Sequence, residues 1–514
     1  MGLLQEVVGF QHLFIVLKIS LYKGEILMSD ILKGLQPRKV FEYFEAISEI
    51  PRGSGNEKAI SDYMVKFATD LGLEVKQDNA YNVYIKKPAT PGYEHVPTVI
   101  LQGHLDMVCE KNKDTVHDFE KDGLKLYIDG DWIGAKGTTL GADNGVAIAY
   151  QMAVLADQTL KHPTIECLMT TDEERGMTGV ANLHPEFISG KILLNLDTDV
   201  EGEFLLSCAG GAKAYFSLPV QRESISKKVT FYRLVINGLK GGHSGADIHF
   251  ERANAHILMG RMLYGLSKEI EFKLVEISGG SKDNVITREC EVVLAIHKDQ
   301  EGHLGKVAQE IITIFQKEYS AQEEHLCLTL EEVPRHYQET LTKGCQQKLI
   351  DVLMALPNGV MGYDQHMKGL VQTSLNLGIL QMHKDYIELG SAVRSSVASR
   401  KMELLDKLEV LSKVFDLGYE VKGDYPAWQY NENSRIRECA RNLYKELYNK
   451  EPVMTAIHAG LECGFIAEKC PGLDMISFGP NVKHIHSPQE VVSISSMARV
   501  YEYLIKLLEN LVAY

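Results

Sequence analysis

Histidine and acidic residues recur in five short motifs of this chain, each at the end of an apolar run or at the start of a turn. They are His104 and Asp106 in GHLD, Asp143 in GADNG, Glu173 and Glu174 in TDEE, Asp197 in LNLD, and His486 in HIHSP. Imidazole nitrogens and carboxylate oxygens are the ligands that bind zinc and similar divalent cations in proteins. The motifs together therefore indicate a metal centre.

The first motif follows an apolar run, residues 98–101, that predicts a buried strand. Residues two apart in an extended segment point the same way, so the side chains of His104 and Asp106 can converge. Open α/β sheets place their sites at the carboxyl ends of strands. Asp106 can hold the His104 imidazole in one tautomer without binding metal itself.

Asp143 is the natural bridging ligand, because two ions a few ångströms apart need a shared carboxylate. Its tight turn opens a helix, so a simple helix cap is the alternative. Glu173 and Glu174 are adjacent, and side chains that diverge cannot share one role. One can bind metal while the other takes the proton from the attacking water; a solvated surface pair is the alternative.

His486 precedes Ser487-Pro488, and the proline restricts the preceding backbone, which suits a ligand held in place. His484 and His458 are the competing imidazoles. His243 is flanked by glycines in GGHSG, a pattern that predicts a histidine on an exposed loop, where a substrate could reach it. The alternative is a turn histidine that hydrogen-bonds its own loop.

The length of 514 residues predicts two domains, since one core rarely serves so long a chain. The net charge of -15 argues against nucleic acid as a partner. No apolar run reaches the ~20 residues of a membrane span. Nine widely spaced cysteines without a C-x-x-C motif are typical of a reducing cytosol and indicate neither a disulfide framework nor a thiolate metal site.

Strands alternate with helices from residue 37 onward, which predicts an α/β fold. We expect a discontinuous catalytic domain, with a mostly parallel sheet and helices on both faces, and an inserted α+β lid domain. Residues 212–398 contain no candidate metal ligand, and His486 lies beyond them. The predicted divisions are a dispensable or misassigned extension (1–27), two catalytic parts (28–211 and 399–514) and the lid (212–398).

Several longer motifs extend these short ones. They are IPRGSGNE (50–57), QGHLDMVCEK (102–111), LGADNGVA (140–147), GGHSGADIH (241–249) and AIHAGLECG (456–464). In that order they resemble the carnosinase/aminoacylase-type family of dinuclear zinc peptidases, and more narrowly its bacterial aminoacyl-histidine dipeptidases. The resemblance covers about residue 28 to the end of the chain.

The resemblance implies a role for each site residue. His104 and Asp197 would bind one zinc ion, Glu174 and His486 the other, and Asp143 would bridge the two. Glu173 would be the general base, Asp106 would orient His104, and His243 would polarise the scissile carbonyl. Asn284 and Arg394 would hold the terminal carboxylate of the substrate, and His458 is a further substrate-binding candidate. The resemblance also implies a cis peptide bond after Asp143.

The expected function is zinc-dependent hydrolysis of unblocked dipeptides by metal-activated water, including aminoacyl-histidine dipeptides such as β-Ala-His. Co²⁺ and Mn²⁺ are alternatives to Zn²⁺. A homodimer in the cytoplasm is expected, with His243 delivered by lid closure or by the neighbouring subunit. The rival functions are an aminoacylase or tripeptidase of the same family, and a metal-free binding protein on the same fold.

Overall fold

The computed structural model describes residues 30–225 and 229–514. The predicted extension, residues 1–27, lies outside the described residues. The described chain divides into two units, each of them discontinuous. The first runs to Leu206 and continues in Asn431–Met454 and Lys469–Tyr514, and the second consists of Ser207–Tyr430 and Thr455–Glu468.

The helices and strands follow one another along the whole described chain. The helices are α1 Arg38–Ser48, α2 Lys58–Asp70, α3 Ala142–Ala156, α4 Glu173–Gly176, α5 Thr178–Ala181, α6 Ala255–Glu269, α7 Glu301–Glu318, α8 Lys343–Ala355, α9 Ala398–Phe415, α10 Arg435–Tyr448, α11 Glu462–Lys469 and α12 Ile494–Asn510. The strands are β1 Glu74–Gln77, β2 Val83–Lys87, β3 Val99–His104, β4 Leu126–Asp129, β5 Trp132–Ala135, β6 Ile165–Thr170, β7 Ile192–Asn195, β8 Glu203–Cys208, β9 Gly210–Pro219, β10 Arg222–Ser224, β11 Val229–Asn237, β12 Gly242–His243, β13 Phe272–Ser281, β14 Val285–Ile286, β15 Cys290–His297, β16 Cys327–Glu332, β17 Glu339–Leu341, β18 Gly359–Tyr363, β19 Val371–Met382, β20 Tyr386–Ser395, β21 Gly418–Tyr425, β22 Val453–Ile457, β23 Asp474–Ser477, β24 Val482–Lys483 and β25 Val491–Ser493.

An eight-stranded sheet in the order β1-β2-β6-β3-β7-β23-β8-β22 carries the first unit. Its central strands β6, β3, β7 and β23 are parallel, whereas β1, β2 and β8 pair antiparallel at the two sides. Every residue of β3, β6 and β7 is buried, as expected for parallel strands covered on both faces. The α/β fold with a mostly parallel sheet is therefore confirmed.

The parallel strands bring the predicted metal ligands to one edge of this sheet. Their carboxyl ends lie together, and His104 is the last residue of β3. Glu174 follows β6 and Asp197 follows β7. A second, four-stranded sheet in the order β24-β25-β5-β4 contributes the loop between β24 and β25, which carries His486.

The second unit contains a nine-stranded antiparallel sheet in the order β16-β11-β15-β13-β19-β20-β9-β21, with β18 added beside β19. Helices α6 to α9 bury their apolar residues in one core with this sheet, which includes Leu258, Met262, Leu349 and Leu377. The short pair β12–β14 places His243 opposite Val285. The α+β character predicted for this part of the chain is thus present.

The boundary predicted at residue 398 differs from the division in the structure. The second unit continues to Tyr430, because α9 packs on β20 and β21 pairs with β9 along most of its length. Strand β20 ends at Ser395, close to the predicted boundary, but the end of this strand is not the end of the unit. A short second segment, Thr455–Glu468, also belongs to this unit.

Gly103 provides a test of how closely α3 packs on β3. A Cβ atom at this position would lie 2.4 Å from Asn144 Oδ1 and 2.6 Å from Ala147 Cβ. Gly103→Ala should therefore lower the free energy of unfolding by about 1–3 kcal/mol, as overpacking does. Gly344→Ala is the control, because that helical position has open space around it. Equal urea-unfolding midpoints for the two variants would contradict the packing described.

Candidate metal centre

Asp143 lies between two imidazoles and offers a different oxygen to each. Its Oδ1 is 3.1 Å from His104 Nε2, and its Oδ2 is 3.4 Å from His486 Nε2. Gly141, just before it, has a φ of +66°, a left-handed conformation that favours glycine in the turn opening α3. The peptide bond between Asp143 and Asn144 is cis, as the family resemblance predicted. Two carboxylate oxygens directed to different imidazoles are what a bridging carboxylate requires.

One further carboxylate lies beside each imidazole. Asp197 Oδ1 is 3.7 Å from His104 Nε2, and Glu174 Oε2 is 2.9 Å from His486 Nε2. Ligand atoms of His104, Asp143 and Glu174 lie within 4.8 Å of one another. The structure thus brings all five predicted ligands together as two pairs on either side of Asp143. This set of nitrogen and oxygen donors fits divalent cations such as zinc.

The electrostatics of the cluster favour positive charge. Hydrogen bonds from the imidazole to Asp143 and Glu174 raise the pKa of His486 to about 10. Burial opposes the charged form of His104, but Asp197, Asp106 and Asp143 raise its pKa well above the usual value. Three carboxylates around two imidazoles therefore leave a surplus of negative charge that a divalent cation would neutralise.

Asp106 connects the end of β3 to the turn that follows β6. It is fully buried and accepts hydrogen bonds from Ser54 Oγ (2.7 Å) and from the backbone N–H groups of Glu173 (3.1 Å) and Glu174 (3.3 Å). Its Oδ1 is 3.4 Å from His104 Nδ1. Burial alone would raise its pKa, but bonds from His104 and Ser54 lower it to about 2. Asp106 is therefore a carboxylate, and His104 Nε2 points to the other acids.

Glu173 and Glu174 begin the short helix α4. The side chain of Glu174 contacts His486. Glu173 is half-buried beside it, and Asp106 fixes its backbone N–H. Of the two histidines in the loop before β25, His486 is the one that contacts Asp143 and Glu174. The other competing imidazole, His458, belongs to the second unit.

His243 is a half-buried histidine of the second unit, and its own loop determines its tautomer. Its Nδ1 accepts hydrogen bonds from the N–H groups of Gly245 (3.2 Å) and Ala246 (3.1 Å). The proton of the neutral ring is therefore on Nε2. Burial, assisted by the charge of Arg394, lowers the pKa of His243. The ring thus has the loop contacts of a turn histidine and an Nε2–H group that can donate.

Arg394 and His458 form a polar group in the same unit. Arg394 is 9% exposed and donates from Nη1 to Tyr425 Oη (3.0 Å), while its Nε has no hydrogen-bond partner. No acidic side chain of the described residues forms an ion pair with it. His458 Nε2 is 2.7 Å from Ser374 Oγ, and burial, with the charge of Arg394, lowers the pKa of His458 to about 3. Among the described residues, Arg394 thus contributes a positive charge here without an acidic ion-pair partner, and His458 beside it is neutral.

The remaining lid candidates have less specific contacts. Asn284 is half-buried, and its backbone carbonyl accepts a hydrogen bond from Ser244 N at 2.9 Å. The loop of His243 approaches the segment of His458, because a Cβ atom at Gly245 would lie 2.6 Å from His458 O. The structure thus brings His243 and His458 near each other, within the second unit.

Comparison with known proteins identifies the family. Residues 100–510 match Peptidase family M20/M25/M40. The chain belongs to this family. It is 39% identical over 482 residues to the cytosol non-specific dipeptidase of Escherichia coli (strain K12), a match that covers 94% of this chain and 99% of the relative. The family resemblance of the sequence motifs is therefore confirmed, and the chain is a metallopeptidase.

Solved structures agree with this assignment of the M20 peptidase. The aminoacylhistidine dipeptidase from Vibrio alginolyticus superimposes with a TM-score of 0.90 at 40% identity, covering 94% of this chain and 98% of that one. The aminopeptidase PepT from Bacillus cereus shares the fold at 17% identity and a TM-score of 0.54, covering 93% and 100%. Within residues 30–225 and 229–514, no helix of the M20 peptidase is both long and apolar enough to cross a membrane.

Three buried residues of the M20 peptidase that sequence reasoning missed support the ligands from behind. Arg52 donates from Nη1 to the carbonyls of Leu105 (3.1 Å) and Asp106 (3.2 Å). Asn144 accepts a hydrogen bond from His104 N and donates to Leu196 O, which ties α3 to the ends of two strands. Glu490 binds the turn before Asp143. Arg52 stands inside the motif IPRGSGNE and Glu490 lies two residues after HIHSP, but no spacing in these segments indicates which backbone groups the two side chains bind.

Proposed function

We propose that this M20 peptidase hydrolyses unblocked dipeptides, including aminoacyl-histidine dipeptides such as β-Ala-His, with two divalent ions at the Asp143 cluster. The observation that carries the proposal is that Asp143 presents separate oxygens to His104 and His486. A carboxylate shared in this way is the feature that a two-metal hydrolase needs.

The donor pairs suggest which residues would hold each ion. His104 with Asp197 would hold one, Glu174 with His486 would hold the other, and Asp143 would be shared. Zn²⁺ is our first choice, with Co²⁺ or Mn²⁺ as alternatives. Bound ions of this kind polarise a carbonyl and lower the pKa of water.

Glu173 would be the general base of the reaction. It begins α4 next to Glu174, and Asp106 holds its N–H, so its backbone position is tied to the strand end that carries His104. In this role it removes the proton of the attacking water and passes it to the leaving amine. Asp106 would orient His104 through Nδ1 and would not bind metal.

The second unit would supply the groups that recognise the substrate. His243 would donate its Nε2–H to the carbonyl oxygen as negative charge develops there, and its lowered pKa keeps the ring neutral. Arg394, with an unpartnered Nε and no acidic partner among the described residues, would bind the terminal carboxylate of a dipeptide. His458 and Asn284 would line the same region as neutral groups.

Two of the relatives described above support a dipeptide substrate over the rival reactions. One is named for non-specific cleavage of dipeptides in the cytosol, and the other for aminoacyl-histidine dipeptides. The similarity to PepT, at 17% identity, supports the fold alone. The intact donor set argues against a metal-free binding protein on the same fold. We therefore propose a cytoplasmic dipeptidase, and propose that it works as a homodimer.

A substrate panel tests this proposal. β-Ala-His, Gly-His and Leu-Gly should be hydrolysed, whereas a tripeptide and an N-acetyl amino acid should not. Incubation with a chelator should abolish the activity, and added Zn²⁺, Co²⁺ or Mn²⁺ should restore it. Product release followed by chromatography measures each rate. Preferential cleavage of the acetylated amino acid or of the tripeptide would favour the rival enzyme functions.

Metal content tests the division of roles among the acidic residues. Asp143→Ala should lose both ions, because both depend on the shared carboxylate. Glu173→Ala should retain both ions but lose turnover, whereas Glu174→Ala should lose one. Elemental analysis of each purified variant gives the counts. If Glu173→Ala lost an ion while Glu174→Ala kept both, the roles of the two glutamates would be reversed.

His243 tests the contribution of the second unit. His243→Ala should lower kcat by about 100-fold or more, as loss of one oxyanion donor does, with little change in KM or metal content. His249→Ala, an exposed histidine of the same segment, is the matched control. Near-normal kcat for His243→Ala would leave it a turn histidine only. Activity regained on mixing this variant with Glu173→Ala would mean that His243 acts across a dimer.

A further inference from the structure

Glu490 is a buried acid that the proposed chemistry does not use. It is 3% exposed and lies four residues after His486. Its carboxylate accepts hydrogen bonds from four consecutive backbone N–H groups. Oε2 is bound by the N–H of Leu140 (2.8 Å) and of Gly141 (2.9 Å), and Oε1 by the N–H of Ala142 (2.8 Å) and of Asp143 (3.2 Å). One side chain thus binds the whole turn that presents Asp143.

Arg52 holds the same turn through a carbonyl group. Its guanidinium is buried and donates from Nη2 to Gly141 O at 2.5 Å, while Nη1 reaches the carbonyls that follow His104. The turn is therefore connected to the end of β3 by Arg52 and to the loop of His486 by Glu490. Neither connection involves a group that would bind metal.

A turn of this kind needs such support when no ion is bound. Ligand atoms of Asp143 and Glu174 lie within 4.8 Å of one another, and Asp197 lies beside the same His104 imidazole as Asp143. Carboxylates this close repel one another. Without Glu490, the buried N–H groups of Leu140, Gly141 and Ala142 and the partly buried N–H of Asp143 would lose this acceptor, and each buried unpaired group is costly. The turn would then rearrange, and the Asp143 carboxylate would move with it.

We infer that Glu490 is a positioning residue, which holds Asp143 in its metal-binding conformation before metal arrives and couples the loop of Asp143 to the loop of His486. The inference rests on the proposed function in that Asp143 is taken as a metal ligand. It adds that the loop of Asp143 and the loop of His486 form the metal centre together. Weakening the contact between Glu490 and the turn of Asp143 should therefore lower the affinity of the protein for both ions.

Glu490→Gln tests the inference with little change of shape. One carboxylate oxygen becomes an NH₂ group, which faces two N–H donors and leaves them without an acceptor. The affinity for Zn²⁺ should fall by roughly 10- to 100-fold, the usual effect of losing a partner outside the ligand shell. Competition against a chromophoric chelator measures this, and Glu490→Asp, which keeps the charge, should recover part of the loss.

Glu166 provides the matched control. It is also a buried acid of the first unit and accepts hydrogen bonds from the N–H groups of Ser189 (2.9 Å) and Gly190 (2.9 Å). Among the described residues its hydrogen-bond and ion-pair partners are Ser189, Gly190 and Lys86, none of which is a metal-ligand candidate. Glu166→Gln should lower thermal stability while leaving Zn²⁺ affinity unchanged. Equal Zn²⁺ affinities for Glu490→Gln, Glu166→Gln and the wild type would overturn the inference. A wild type that binds no metal would instead overturn the proposed function.

Hydrogen exchange of the wild-type enzyme tests whether Glu490 holds the turn of Asp143 without metal, even if a variant does not fold. The amides of residues 140–143 should be equally protected from exchange in metal-free and Zn²⁺-loaded protein, because their hydrogen bonds to the Glu490 carboxylate do not depend on bound metal. Rapid exchange of these four amides in the metal-free enzyme, with slow exchange only after Zn²⁺ is added, would overturn the inference. Slow exchange in both states supports it.

Discussion

The concentration of negative charge around Asp143 is the constraint on which the rest of the first unit depends. Three carboxylates and two imidazoles occupy one small region, and the imidazoles become strongly basic there. Such a cluster is unfavourable in a protein interior unless cations or hydrogen-bond donors compensate it. The two imidazoles supply part of that compensation, and the proposed ions would supply the rest. Asp106 and Glu490 accept hydrogen bonds from the backbone of the segments that carry Glu174 and Asp143, and so hold those segments in place.

The fold of the first unit explains how these charged side chains come to lie together. Parallel strands end at a common edge, so that the last residue of β3 and the short turns after β6 and β7 bring a histidine and two acids to the same place. Buried polar side chains then fix the turns to one another. Asp106 binds the turn of Glu173 and Glu174, and Asn144 joins α3 to β3. The geometry of the centre is therefore a property of strand ends held by side-chain-to-backbone bonds.

The candidate metal ligands and the order of the helices and strands around them could be predicted from the sequence. His104 and Asp106 could be recognised because an apolar run, a period of two and a common strand end are local signals. Arg52 and Glu490 could not, because their partners are backbone groups distant along the chain and any turn offers the same donors. The end of the second unit was misplaced for a similar reason: the pairing of β21 with β9 joins segments about 200 residues apart.

Anomalous diffraction from crystals of the Zn²⁺-loaded enzyme tests the central claim most directly. The account predicts two peaks, one contacted by His104 and Asp197 and the other by Glu174 and His486, with one oxygen of Asp143 directed to each. A single peak, or two peaks of which one lacks Asp143 as a ligand, would contradict it.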